Sequence, residues 1–95
     1  MARLAIHPGE HIQEELDAMD MSANLFASKL GVTVEHLLAV LDGKRSINAE
    51  MAMRLGHFFG TSAQSWLNLQ VSFDLEVAKQ EHGAEIERLP TLQAA

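Results

Sequence analysis

Capping residues and glycines punctuate residues 22–43, SANLFASKLGVTVEHLLAVLDG, so closely that the stretch reads as two short helices and a tight turn. Ser22 can accept a hydrogen bond from an otherwise unpaired N–H of an opening turn. Phe26, Ala27 and Leu30 then recur on one face at helical spacing. Gly31 predicts the stop, since glycine takes a left-handed conformation without steric cost and so closes the last carbonyls. Only Val32 separates it from Thr33, a second cap. The helix that follows carries Leu37, Val40 and Leu41 inward and stops at Gly43. Small Ala27 lets the two helices cross closely, and Leu37 locks the second onto the first. The pattern is a helix-turn-helix, an arrangement that DNA-binding proteins use to lay their second helix in the major groove.

The flanking sequence is helical as well, with no strand-like alternation and no internal repeat. His7-Pro8-Gly9-Glu10 opens a first helix, where Pro8 suits a position that has no N–H to satisfy. Ile12, Leu16 and Met19 face inward. Asn48 caps a helix from Ala49 to Phe59 with apolar residues at 51, 52, 55, 58 and 59, ended by Gly60. Gly56 within it costs about 1 kcal/mol against alanine, which predicts a close helix contact there. Thr61-Ser62 caps the longest helix, expected from about Ala63 to His82 with Gly83 as its terminator. This helix has two apolar stripes, Trp66, Leu69, Phe73 and Val77 on one face and Leu67, Val71, Leu75 and Ala78 about 100° or more around. One stripe suffices to pack against a small domain. The second therefore predicts a subunit interface at Leu67, Val71, Leu75 and Ala78, and Asn68 and Gln70 would satisfy backbone or cross-subunit polar groups. The expected organisation is a helical domain over 1–83. Residues 84–95, polar and interrupted by Pro90, would form a C-terminal extension of the kind that is often mobile.

Several chemistries drop out. A chain of 95 residues makes one domain and buries only about 60–65% of its unfolded surface, so a second subunit would help stabilise it. With no cysteine it has no disulfide, thiolate metal site or cysteine nucleophile. No apolar run approaches about 18 residues and the N-terminal stretch is too short for a signal peptide, which points to a soluble, cytoplasmic chain. His7 and His11 have a metal-binding spacing, but Pro8 starts the helix between them and no third ligand is evident. Glu10, Glu14, Glu15 and Asp17 read as a solvated helix face, since nothing surrounds them to perturb a catalytic carboxylate. No phosphate loop or nucleophile motif appears. Neither a cofactor nor an enzymatic activity is expected.

The net charge of −6 argues against general coating of nucleic acid, but its distribution is uneven. Residues 1–21 sum to −4 and residues 55–95 to −3, whereas residues 22–54 sum to +1. The segment holding the helix-turn-helix is thus the only one that is not acidic. That is a weak footprint for a phosphate-facing surface.

Three blocks carry a resemblance: His7-Pro8-Gly9-Glu10, the hairpin ending Asp42-Gly43-Lys44-Arg45, and Phe59-Gly60-Thr61-Ser62 followed by Trp66-Leu67-Asn68-Leu69-Gln70. Together they resemble the HigA antitoxins, within the lambda-repressor-like helix-turn-helix proteins, over about residues 7–78. The resemblance implies an all-α, five-helix domain with the helix-turn-helix at helices 2 and 3. It also implies a homodimer on a palindromic operator at its own promoter, and a cognate toxin, a small RelE-like ribonuclease, as partner. Base-facing positions would be Thr33, Glu35, His36, Leu38 and Ala39; phosphate-facing ones would be Ser22, Asn24, Lys29, Lys44 and Arg45.

The reading positions depart from the family, which usually places glutamine after the first cap and arginine or asparagine along the second helix. Here Ala23, Glu35, His36, Leu38 and Ala39 stand there. Glutamine and arginine make bidentate bonds to base edges or phosphates, whereas alanine and leucine offer only methyl contacts to thymine. Glu35 repels phosphate unless it accepts from a cytosine amine. A second reading therefore stays open, a helical protein-binding adaptor that has lost effective DNA binding. The acidic ends suit a basic partner in either case.

Overall fold

The computed structural model, which describes residues 5–92, contains α1 (Pro8–Met19), α2 (Ala23–Leu30), α3 (Val34–Leu41), α4 (Ala49–Phe59) and α5 (Ala63–Glu87). The four expected side-chain caps are all made. Ser22 Oγ accepts from the Leu25 N–H at 3.1 Å, Thr33 Oγ1 from His36 at 3.1 Å, Asn48 Oδ1 from Met51 at 2.9 Å and Ser62 Oγ from Ser65 at 3.0 Å. Gly31 closes α2 with a φ of 75°. From there the chain turns into α3 at 113° to α2, the geometry of a helix-turn-helix.

Phe26 lies in the core, fully buried along with Ile12, Leu37, Val40, Met51 and Leu55. Its ring meets Phe58 edge-on at 5.2 Å, Phe59 lies 5.7 Å away, and Phe59 in turn contacts Trp66 at 5.6 Å. This aromatic run joins α2 to α4 and α5, and such pairs contribute about 0.5–1.5 kcal/mol each beyond their buried area. Trp66 Nε1 donates to Thr61 Oγ1 at 2.9 Å, so its polar edge is satisfied. Gly56 does meet a close neighbour, but it is the turn rather than another helix: a Cβ there would lie 2.7 Å from the Thr61 carbonyl oxygen, where α4 turns into α5.

Two buried polar side chains, Gln70, expected to satisfy backbone groups, and His7, hold elements together. Buried Gln70 accepts from the Ile47 N–H at 2.9 Å and donates to Asp74 at 2.9 Å, pinning the segment before α4 onto α5. His7 caps α1, its Nδ1 accepting from the Gly9 N–H at 2.9 Å while its ring meets Phe73 edge-on at 4.9 Å. His7, one half of the His7/His11 spacing, thus serves as a helix cap.

The longest helix does not end at Gly83. It continues to Glu87, capped by Arg88. Gly83 lies where an added Cβ would meet only the Lys79 side chain, and the His82–Glu85 pair at 2.8 Å spans the site, so one glycine's cost of about 1 kcal/mol is absorbed. The stop comes just before Pro90, which disfavours helical backbone at the residue preceding it. Residues 93–95 of the expected extension lie outside the described residues. Among the described residues no single helix is long and apolar enough to cross a membrane.

The α1 cap makes stability depend on pH. Burial lowers the His7 pKa below 6.5, opposed by Asp74 and by a backbone hydrogen bond with Arg45. Between the folded-state value and 6.5 the unfolded chain binds more protons, so stability is complete above that window and declines as pH falls through it. His7→Asn, which keeps an acceptor but does not titrate, should flatten the fall in thermal midpoint between about pH 7.5 and 5.5 relative to the wild type. Equal slopes in the two proteins would refute this role.

Candidate nucleic-acid interface

The outward face of α3 is built by the residues that do not pack. Leu37 and Val40 are buried against α1 and α2, which leaves Glu35 and Leu38 exposed, His36 and Ala39 half-buried, and Thr33 exposed at the helix start. Leu38, at 45% exposure, is an apolar group offered to solvent at the centre of this face.

The chain then doubles back under α3. Gly43, at a φ of 74°, allows the Lys44 and Arg45 amides to turn onto the Ala39 carbonyl, at 2.9 and 3.2 Å. Both side chains are exposed and form no ion pair among the described residues. Cations at a helix C-terminus also complement its partial negative charge. The two bases thus stand beside the reading face on an anchored backbone.

Thr33, His36 and Arg45 line one shallow groove, together with Asn48, Glu50 and Arg54 from the start of α4. Arg54 was not legible as part of this site. Its Nη1 donates to the Leu30 and Gly31 carbonyls at 2.9 and 3.4 Å, while Nε and Nη2 donate to Glu50 at 3.3 and 2.7 Å. The hydrogen bond from Arg54, and then its charge, hold the Glu50 carboxyl below the usual range. Burial, then the charge of Arg45, lower the His36 pKa, Glu50 opposes them, and Arg54 adds to the lowering. The imidazole is accordingly biased to the neutral form, a hydrogen-bonding group at the edge of the reading face.

The remaining candidates are spread more widely. Ser22 accepts the α2 capping bond but keeps its own hydroxyl proton to donate. Asn24 is exposed on the first turn of α2. Lys29 lies apart, lining a separate α2–α4 groove with Met53, His57 and Phe58. On α5, Trp66 is buried and Leu69, Phe73 and Val77 are half-buried, so this stripe faces the domain. The other stripe is open: Val71 is 52% and Leu75 66% exposed, Ala78 is exposed and Leu67 is half-buried.

No family model matches the chain. Its sequence is 44% identical over 78 residues to virulence-associated protein I of Dichelobacter nodosus, spanning 81% of this chain and 72% of that protein. Its structure is similar to an addiction module antidote protein of a HigA family from Coxiella burnetii, with a TM-score of 0.93 and 43% identity over 96% of this chain and all of that one. It is also similar to the Pseudomonas aeruginosa antitoxin HigA, solved with the higBA promoter, at a TM-score of 0.88 and 37% identity, covering 94% of this chain and 99% of that one.

The electrostatics of the groove are directly measurable. In a proton NMR titration His36 should give a midpoint below 6.5, and Arg45→Ala should move it upward by removing a nearby positive charge. A midpoint that does not respond to Arg45 would contradict the arrangement.

Proposed function

The chain belongs to the HigA-type antitoxins of the lambda-repressor-like helix-turn-helix family, and from that premise we propose that it is a dimeric operator-binding autorepressor of the cytoplasm. The observation that carries this reading is the uncovered α3 face beside two cations, Lys44 and Arg45, that form no ion pair among the described residues and whose backbone is fixed at its end. In the proposed complex these cations anchor phosphates without regard to sequence. Thr33, Glu35, His36, Leu38 and Ala39 meet base edges, with Ser22, Asn24 and Lys29 as further backbone contacts. The solved complex of the Pseudomonas aeruginosa antitoxin with its promoter supports the assignment by similarity.

A reading face with a leucine and an alanine discriminates differently from one with arginine and glutamine. Leu38 and Ala39 offer apolar contact to a thymine methyl, and Thr33 and His36 supply the polar contacts. Glu35 selects against any register that places a phosphate opposite it.

In the same proposal, the open stripe of α5 is the two-fold interface, with Leu67, Val71, Leu75 and Ala78 meeting their counterparts. The protein partner is a basic, RelE-like ribonuclease toxin, drawn to the acidic segments 1–21 and 55–95, which carry −4 and −3.

Assembly is tested by Val71→Glu, which would place an unpaired charge in the interface and shift the protein to monomer. Sedimentation of the wild type as a monomer at tens of micromolar would defeat the dimer.

DNA binding is tested on duplexes from the region upstream of the coding sequence and of any gene cotranscribed with it. Lys44→Ala should weaken all duplexes alike and reduce the salt slope by about one unit per subunit. Leu38→Ala should instead reorder operator variants, by about 1–3 kcal/mol at the base pair it touches. Failure of the wild type to bind at low salt, alone or with its toxin, would leave the adaptor reading as the better account.

A further inference from the structure

Arg54 stands on α4, yet it grips the turn from which α3 departs. Its Nη1 donates to the carbonyls of Leu30, the last residue of α2, and of its cap Gly31, three and two residues before Thr33, the N-cap of the candidate reading helix. Glu50, one helical turn earlier, holds the other edge of the guanidinium with two hydrogen bonds. The planar, forked guanidinium can serve both partners at once, which a point-like ammonium cannot.

The packing gives this tie a further consequence. α3 packs on α1 and α2, whereas α4 packs chiefly on α5, the helix with the open apolar stripe. Arg54 therefore links the start of the reading helix to the half of the domain that carries that stripe. In a two-fold dimer the separation and tilt of the two reading helices are set through that half, and half-site spacing follows from them.

We propose that Arg54, oriented by Glu50, is a positioning residue for sequence discrimination: it fixes α3 relative to the α4–α5 half and so sets which half-site spacing the dimer accepts. The proposal rests on the operator-binding reading above and adds to it a residue on a helix outside the reading face. It separates two quantities that most mutations change together. Loss of the tie leaves Lys44 and Arg45 free to hold any DNA, while the ability to tell one duplex from another declines.

The test compares affinities at one salt concentration for two probes. One is the duplex of about 30 base pairs that the wild type recovers best from a randomised pool; the other is mixed-sequence DNA of equal length. Arg54→Met should reduce the ratio of the two affinities about tenfold, with mixed-sequence binding reduced only by the loss of one charge. Duplexes with half-sites moved apart by one base pair, which the wild type rejects, should become nearly equivalent to the parent. Arg54→Lys keeps the charge and one hydrogen bond and should restore part of the ratio. Glu50→Ala changes an exposed side chain, does not threaten the fold, and should lower the ratio about threefold. Leu16→Val, a core truncation on α1, controls for general loss of stability and should leave the ratio intact.

An unchanged ratio in Arg54→Met and Glu50→Ala overturns the proposal, as does an equal loss in Leu16→Val. If Arg54→Met does not fold, Glu50→Ala and Arg54→Lys decide the matter alone. A wild type that prefers no duplex over mixed-sequence DNA overturns the operator reading itself, an outcome distinct from an unchanged ratio.

Discussion

Where α1 crosses the end of α3, the Gly9 backbone lies against the Val40 carbonyl, and a methyl group on Gly9 would overlap that oxygen. Much of the domain depends on this approach. It sets the depth at which Ile12 and Leu16 enter the core beside Leu37 and Val40. It also brings the His7 ring near Gly43, in the turn that carries Lys44 and Arg45. A larger residue at position 9 would lift α1 and, with it, the support beneath the basic turn. The requirement is for close backbone approach, since Gly9 sits in ordinary helical conformation within α1.

Local sequence revealed what local physics decides. Ser22, Thr33, Asn48 and Ser62 were legible as caps because the amide each satisfies lies three residues ahead. The stops at Gly31 and Gly60 were legible because both need a positive φ. The end of α5 was misread because glycine in a helix carries a penalty without being a terminator; the helix continues past Gly83, beside the His82–Glu85 contact, to a stop just before Pro90. Gln70 was legible as a partner for backbone groups, but which amide it meets was not, and Arg54 was hidden altogether: their backbone partners lie 23 or 24 residues away, and no periodicity encodes such a bond. The pair Glu50 and Arg54 at helical spacing was the only available sign, and it reads equally well as an ordinary surface ion pair.

The chemistry of the candidate interface is divided between two kinds of residue. In the proposed complex the basic turn would supply attraction that is indifferent to sequence, whereas α3 would supply shape, methyl groups and one biased imidazole. With an overall charge of −6, long-range attraction to DNA is weak, so the sequence-indifferent component is small. A larger share of any binding free energy then falls to the fit between α3 and the groove. Under such a balance, the orientation of a short helix counts for more than the number of cations beside it. His36 links the two parts, because the charge of Arg45 also biases its proton.

The far end of α5 has a separate physical character. From Lys79 to Glu87 almost every side chain is exposed, and what supports the helix there is its own hydrogen bonding and the His82–Glu85 pair. Those two turns contain Gly83 and bury little apolar surface, so their free energy of opening is close to that of an isolated helix end. The turns around Trp66 and Gln70, by contrast, open only when the core does. A single continuous helix thus spans two regimes of amide exchange, fast at one end and globally protected at the other. The helix geometry passes through Gly83 unbroken while the cooperativity of folding stops short of it.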